Sequence, residues 1–540
     1  MKKRITLRQR LMLSVALVLA LTMSLAGCGG QNSAQSDGTD SSGAAAVGEL
    51  RIGLPGSMAT LDVTQTGGII DYYVLAVAQE GLVSVSNDGK LVPGLAESWT
   101  VSDDGKTYVF KLREGVKFSD GSDLTAEDVV YSVTRAGDPD KSPGTAGYYP
   151  WYIQDVKATA AGEVTFTLDG PRPGFLWNVS NAGTAFISSQ KSIEAAESYG
   201  SPTDLITGTG PYKPSEFEPG SHVTFVRSDT WRGEKPAFDS IRFDFIEDAN
   251  TRLLAFQGGD IDFTYNIPQD AEAQWKKVDG ANVSFVADRS YQGITFNPNI
   301  APFDDIHVRR AIGYAIDKDS IVNGLIGGHA TAATAITPPD QLVTAWDKAK
   351  AEAALAEVPH YDFDIAKAKE EIAQSKSPNG FKAELTYPAS DPNLGKVSLA
   401  IADSLKQIGI ELDVKETPLE QWLANVSNGE QGIAWMSYTP TTGDPAEITS
   451  WLLYADGESN PAFWKNDLSL TAMDSSLSAP DVAKEAEYVM SAEKVSGEEA
   501  IYLPVYWGQS GVAFAKGVSV DNYNSYTLVA NWPFLFQKGE

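Results

Sequence analysis

One cysteine in 540 residues, Cys28, removes every intrachain disulfide from the fold. Whatever this chain builds is held by buried apolar surface and hydrogen bonds. The composition permits that: 42% of residues are apolar and 21% charged, a balance that predicts packed cores and not general disorder. By the usual size of a single core, a chain this long forms roughly two to four domains.

The position of Cys28 carries a second message. Lys2, Lys3, Arg4, Arg8 and Arg10 make a basic start, and an apolar run from Leu11 to Ala26 follows, broken only by Ser14, Thr22 and Ser24. The run is short for a membrane span, which needs roughly 20 apolar residues, and its basic flank suits a secretory signal peptide over residues 1–27. It ends in Leu25-Ala26-Gly27-Cys28, which resembles the lipobox of bacterial lipoproteins. That resemblance implies lipidation at Cys28 and cleavage before it. Residues 28–48 are small and polar with no apolar period. Such a stretch buries too little to offset its ordering entropy and reads as a flexible tether. The expected location is the outer face of the bacterial cytoplasmic membrane, at the cell surface or in the periplasm.

Removing the five basic residues of the leader takes the net charge from −29 to −34. A chain so acidic lacks the basic footprint that nucleic acid requires. Four histidines, His222, His307, His329 and His360, lie far apart and show no metal-ligand spacing. Gly508-Gln509-Ser510-Gly511 lacks the fifth-position glycine of a nucleophile elbow. No phosphate-binding glycine loop occurs. The reading is a binding protein, not an enzyme, with no cofactor, no metal site and a monomeric state.

From Glu49 onward, strand and helix patterns alternate. Glu49–Gly53 reads as a first strand, and Thr107–Leu112 alternates with Tyr108, Phe110 and Leu112 on one face. Thr125 opens a helix with Val129, Val130 and Val133 inward. Residues 164–168, 222–226, 241–246, 381–387 and 410–414 have strand composition. Asp304 or Asp305 caps a helix whose stripe is Val308, Ile312, Ala315 and Ile316. Thr417-Pro418-Leu419-Glu420 has the form of a capping box, with Trp422, Leu423 and Val426 expected inward. The fold class is mixed α/β with at least two lobes.

Several ordered blocks then match a family. Gly94-Leu95-Ala96-Glu97-Ser98-Trp99, the run from Val101 to Phe118, Gly208-Thr209-Gly210-Pro211-Tyr212, Phe303 to Ala311, Ile408-Gly409-Ile410 and Gly443-Asp444-Pro445 resemble the family 5 extracellular solute-binding proteins of ABC transporters. These are oligopeptide, dipeptide and nickel receptors. The resemblance runs from about Leu50 to Phe514. It implies a two-lobed, type II (Venus flytrap) periplasmic-binding-protein-like fold with an extra α/β subdomain. One lobe would be built from residues 49–86, 205–295 and 508–540, the subdomain from 87–204, and the second lobe from 296–507. Crossover strands near 294–298 and 505–509 would form the hinge.

The same resemblance nominates a ligand site. In peptide-binding relatives an aspartate four residues before the proline of the Asp-Pro element pairs with the peptide ammonium; here that position is Thr441. A threonine cannot neutralise an ammonium, so Thr441→Asp is expected to tighten binding of any solute with a free α-amine. Asp444 is either a substitute anchor or a loop support, and Tyr438 either a ligand wall or core. Met58 and Thr60, in the loop after the first strand, are possible contacts. Tyr291 and Asn297 flank the expected hinge, and Trp435 reads as core. The implied function is capture of a small solute, best read as a peptide, for delivery to an ABC permease and its ATPase. A non-peptide solute (oligosaccharide, opine-like amine or metal chelate) and a signalling or adhesion lipoprotein that kept the fold are the alternatives.

Overall fold

Two strands, Asn282–Phe296 and Tyr502–Phe514, pair antiparallel along nearly their whole lengths and organise the rest of the chain. The computed structural model describes residues 48–539 apart from 67, 147–151, 181–185, 390 and 455–459. The proposed leader, Cys28 and nearly all of the tether therefore lie outside the described residues. Asn282 lies opposite Phe514 and Ala287 opposite Gln509; the register then slips, and pairing resumes with Tyr291 opposite Trp507. On one side of the slip, Val512 and Phe514 enter a core with Leu50, Ile52, Phe225, Phe243 and Trp532. On the other, Ile294, Phe296, Leu503 and Val505 join Val308, Ile312, Leu385, Ile401 and Trp435. Tyr291, Tyr502 and Trp507 join a third cluster with Trp346, Ile448 and Met490. One strand pair thus serves separate cores, and the result is two lobes on a shared sheet.

That sheet runs Ile433–Tyr438, Asn282–Phe296, Tyr502–Phe514, Phe263–Ile267, Glu49–Leu54, Ser240–Phe245, His222–Arg227 and Tyr212–Glu218, with Ala330–Ala332 added beside Tyr502–Phe514. Glu49–Leu54 is parallel to both of its neighbours, and the other pairs are antiparallel. The last eight residues of Asn282–Phe296 are buried, as expected of a strand covered on both faces. Ala96–Val101, Thr107–Leu112, Glu163–Leu168 and Ile153–Ala160 form a separate antiparallel sheet. The helix Ala126–Ala136 packs on it, capped by Thr125 as the sequence suggests. In the second lobe, Phe381–Pro388 and Ile410–Thr417 pair in parallel, joined through the helix Pro392–Leu405.

The structure corrects two expectations. Thr417 caps no helix: it ends a strand, its hydroxyl donates to the Tyr387 carbonyl, and Pro418 occupies the N-cap without a side-chain bond. Strand pairing outcompetes the local box because it satisfies a longer row of backbone groups. Leu423 is exposed while Trp422 is buried and Val426 partly so, so the inward stripe of that helix is narrower than its apolar positions. The ladder between the two long strands shifts register twice, between Ala287 and Tyr291 and between Gln292 and Gly293, opposite residues 504–509.

The blocks that carry the family resemblance do structural work. Asp305 caps its helix at the His307 N–H and also accepts from the Lys376 N–H at 2.7 Å. Arg309, buried, donates to the Glu499 and Phe303 carbonyls. In the Gly208-to-Tyr212 block, Gly210 N donates to Ala78 O and Tyr212 N to Val77 O. A Cβ on Gly208 would lie 2.0 Å from Ala78 O, and one on Gly210 would lie 2.6 Å from Ala78 C. Only glycine lets these backbones approach. Gly210→Ala is expected to cost about 1–3 kcal/mol through overpacking, read as a lower midpoint in urea unfolding; an unchanged midpoint refutes the close-approach account.

Candidate functional site

The turn Thr441–Asp444, between the strand Ile433–Tyr438 and the helix Glu447–Leu452, is the most densely hydrogen-bonded loop near the meeting of the lobes. Its donors converge on one carboxylate. Glu447 Oε1 accepts from the Thr441 N–H at 2.7 Å and from its hydroxyl at 3.2 Å; Oε2 accepts from the Thr442 N–H at 2.8 Å and from its hydroxyl. The Tyr438 hydroxyl reaches Oε1 at 3.4 Å. Its carbonyls are also taken: Gln341 Nε2 donates to Thr442 O and Asp444 O, and the Thr344 hydroxyl to Gly443 O. Both sets of backbone groups being satisfied, the loop is held in one shape.

Glu447 revises the sequence reading at this point. An anion is not missing beside Thr441; it arrives from the first turn of the next helix, where acidic side chains are favoured. Thr441→Asp would therefore set a second carboxylate beside Glu447 and remove the hydroxyl that donates to it. The signal in the sequence was an acid three residues after Asp444, on a helix whose start could not be placed from local pattern alone.

The subdomain presses on this loop. A Cβ on Gly174 would meet Asp444 Oδ2 at 1.8 Å, and one on Gly443 would meet Trp177 Cζ2 at 2.6 Å. Trp177 itself is buried with Val85, Tyr526 and Val529, next to Tyr73 and Val343. Asp444 Oδ1 accepts from the Ala446 N–H at 2.8 Å, and burial pushes its carboxyl up to about 6, aided by Glu447. Behind it stands Glu485, 1% exposed, with Oε2 unpartnered. Burial, and then Asp444, holds that carboxyl well above the usual range. Glu493, which accepts from the Ile336 and Thr337 N–H groups, is pushed up to about 7 by burial.

The remaining nominated residues divide by location. Tyr291 lies opposite Tyr438 in the ladder but is wholly buried in the third cluster. Met58 is buried in the first-lobe core, and its carbonyl accepts from the Gly220 N–H. Thr60 accepts from the Asp62 N–H within its loop and donates to Gly200 O at 3.3 Å, 140 positions along the chain. Asn297 fixes backbone, donating to Gly429 O and accepting from the Asn299 N–H. Tyr438, Thr441 and Asp444 are thus brought together, while Met58 and Thr60 sit elsewhere. Trp435 is core, its indole N–H donating to the Ser398 hydroxyl at 2.6 Å. Among the described residues, no group of three or more His, Cys, Asp or Glu could hold a metal, and no helix is long and apolar enough to cross a membrane.

Comparison with known proteins places this architecture. The family model of bacterial extracellular solute-binding proteins, family 5 Middle, matches residues 90–460. A glutathione-binding protein, GsiB of Escherichia coli O1:K1, is 29% identical over 511 residues, covering 92% of this chain and 95% of that protein. The periplasmic binding protein DppA of Helicobacter pylori, solved with the peptide STSA, superposes with a TM-score of 0.73 at 22% identity, over 91% of this chain and 98% of that one. AgaA of A. tumefaciens R10, solved with agropinic acid, gives 0.72 at 24% identity, over 91% and 99%.

The buried carboxyls make stability pH-dependent. A carboxyl raised in the folded state favours folding where it is protonated. Its contribution is fully present below the ordinary value, 4.5 for glutamate, and is lost as pH rises through the folded value. The protein is therefore expected to melt higher at pH 5 than at pH 8. Glu485→Gln replaces a buried carboxyl whose Oε2 has no hydrogen-bond partner, a cost of about 1–3 kcal/mol. It should raise the melting temperature at pH 8 by about 2–4 °C per kcal/mol and change little at pH 5. A variant that keeps the wild-type pH profile would show that Glu485 is not a source of the loss.

Proposed function

This chain belongs to the bacterial extracellular solute-binding proteins of family 5, and on that premise we propose that it captures a peptide between two lobes that close at a hinge and delivers it to an ABC permease. The observation that carries this reading is the Thr441–Asp444 loop. It is a rigid polar rim between Tyr438 and the Gly174–Trp177 segment, at the seam where the second lobe meets the subdomain. A site that keeps its hydrogen-bonding groups pre-positioned loses little entropy on binding. Tyr438, Thr441 and Asp444 border that rim; Met58 and Tyr291 act through packing, and Thr60 through its bond to Gly200.

The chain's organisation follows the same proposal: residues 49–86, 205–295 and 508–540 form the first lobe, 87–204 the subdomain and 296–507 the second lobe. Residues 1–27 direct export, and Cys28 carries the lipid that holds a monomeric receptor at the membrane surface, with 28–48 as its tether. A second reading, a non-peptide solute, draws on Glu447. Its oxygens already receive five donors, which leaves no open carboxylate beside Thr441 for an amine.

Native mass spectrometry of the soluble chain starting at Gly29, purified from rich medium without refolding, separates the two. The expected outcome is a ladder of peptide masses that dissociate on activation. A single non-peptide mass moves the assignment to the second reading. Glutathione is the first defined ligand to add, read as a rise in melting temperature that grows with concentration.

A further inference from the structure

A buried guanidinium needs a counter-charge or a complete set of acceptors, because its desolvation is otherwise uncompensated. Arg289 has neither. It is 3% exposed and stands in the register slip between the two long strands. Its φ is +65°, a left-handed conformation that costs a side-chain-bearing residue free energy and is kept where the surroundings impose it. Nη1 donates to Thr442 O on the loop of the second lobe. Nη2 reaches Ser525 O only at 3.5 Å, and the guanidinium plane lies over the Tyr526 ring at 4.4 Å. Nε has no partner. Among the described residues Arg289 forms no ion pair, only these contacts with two carbonyls and a ring.

The neighbouring acids do not fill the role. Asp288 turns to the Ser290 N–H at 2.9 Å. Burial raises its carboxyl and that of Asp340, while the charge of Arg289 pulls both partly back down; neither carboxylate forms an ion pair with the guanidinium. The phenols of Tyr73 and Tyr526 are likewise pushed up by burial and so stay neutral. The guanidinium thus sits at the junction of the crossover strand, the Thr441–Asp444 loop and the C-terminal segment.

Which edge is free matters. Nε and Nη2 point to the same side of the guanidinium. The atom without a partner and the weakly held atom therefore form one side-on fork, while Nη1 fixes the plane from the other side. A side-on fork receives both oxygens of a carboxylate in parallel hydrogen bonds. We propose that Arg289 is the anion-reading residue of the interlobe site and that the captured solute carries a carboxylate that docks on its Nε–Nη2 edge. This rests on the interlobe site proposed above and adds the chemical class of group the site demands. Ser525 O is the contact the solute displaces, and Tyr526 holds the guanidinium plane during the exchange.

Calorimetric titration tests the assignment. Wild type, Arg289→Lys and Arg289→Gln are titrated with di- to tetrapeptides free of Asp and Glu, each as the free acid and as the C-terminal amide. Sugar acids and the corresponding neutral sugars complete the panel, and melting curves of each variant check folding. Free acids are expected to bind wild type at least about tenfold tighter than their amides, as a charge-assisted pair should. That preference should vanish in Arg289→Gln and survive in part in Arg289→Lys. Equal affinity of acid and amide for wild type overturns the assignment without reference to any variant, and so does a preference that persists in Arg289→Gln. If only sugar acids bind and Arg289→Gln loses them, the peptide reading fails while the role of Arg289 stands. Binding confined to neutral sugars overturns the role of Arg289.

Discussion

The antiparallel ladder between Asn282–Phe296 and Tyr502–Phe514 is the interaction on which the other features depend. A backbone ladder is stiff along its strands, and its side chains alternate into whatever packs on each face. Because these two strands run through the slip at 287–291, their ends feed different cores: Phe514 with Phe225 and Phe243, Phe296 with Val308 and Trp435. The lobes are joined by continuous strands, and the ladder between them is broken at that slip. Arg289, at that break and in a left-handed conformation, is the side chain best placed to sense both sides.

Charge is distributed unevenly about this frame. The chain as a whole carries a net −29, yet the seam holds a buried guanidinium whose Nε has no partner and carboxyls whose pKa burial raises. A general negative field keeps the protein soluble and says little about its ligand. A single desolvated cation says more, because low local dielectric strengthens any anion it meets. The acids under the Gly174–Trp177 segment have a different consequence: packing the subdomain against Asp444 and Glu485 is easier when they are protonated.

The residues that make the family recognisable mostly hold the scaffold together. Gly208 and Gly210 permit a backbone approach, Asp305 caps a helix, and Arg309 ties carbonyls together. These are requirements of the scaffold. The rim, by contrast, is built from Thr441, Thr442, Glu447, Gln341 and Arg289, which come from separated segments.

The sequence by itself determined the local elements and the class of protein. The alternation of Tyr108, Phe110 and Leu112, the caps at Thr125 and Asp305, and the ordered blocks from Gly94 to Pro445 rest on short-range chemistry, and the structure agrees at each of those elements. It failed where a local pattern met a tertiary competitor: Thr417 is drawn into a strand, and Leu423 is left in solvent. Only the tertiary structure decided the site. Glu447 beside Thr441, Glu485 behind Asp444, and Arg289 between Thr442 and Tyr526 are contacts across 6 to 237 positions of chain. No local propensity encodes such pairings. Their hydrogen bonds and desolvation exist only after the strands have closed and removed the water between them.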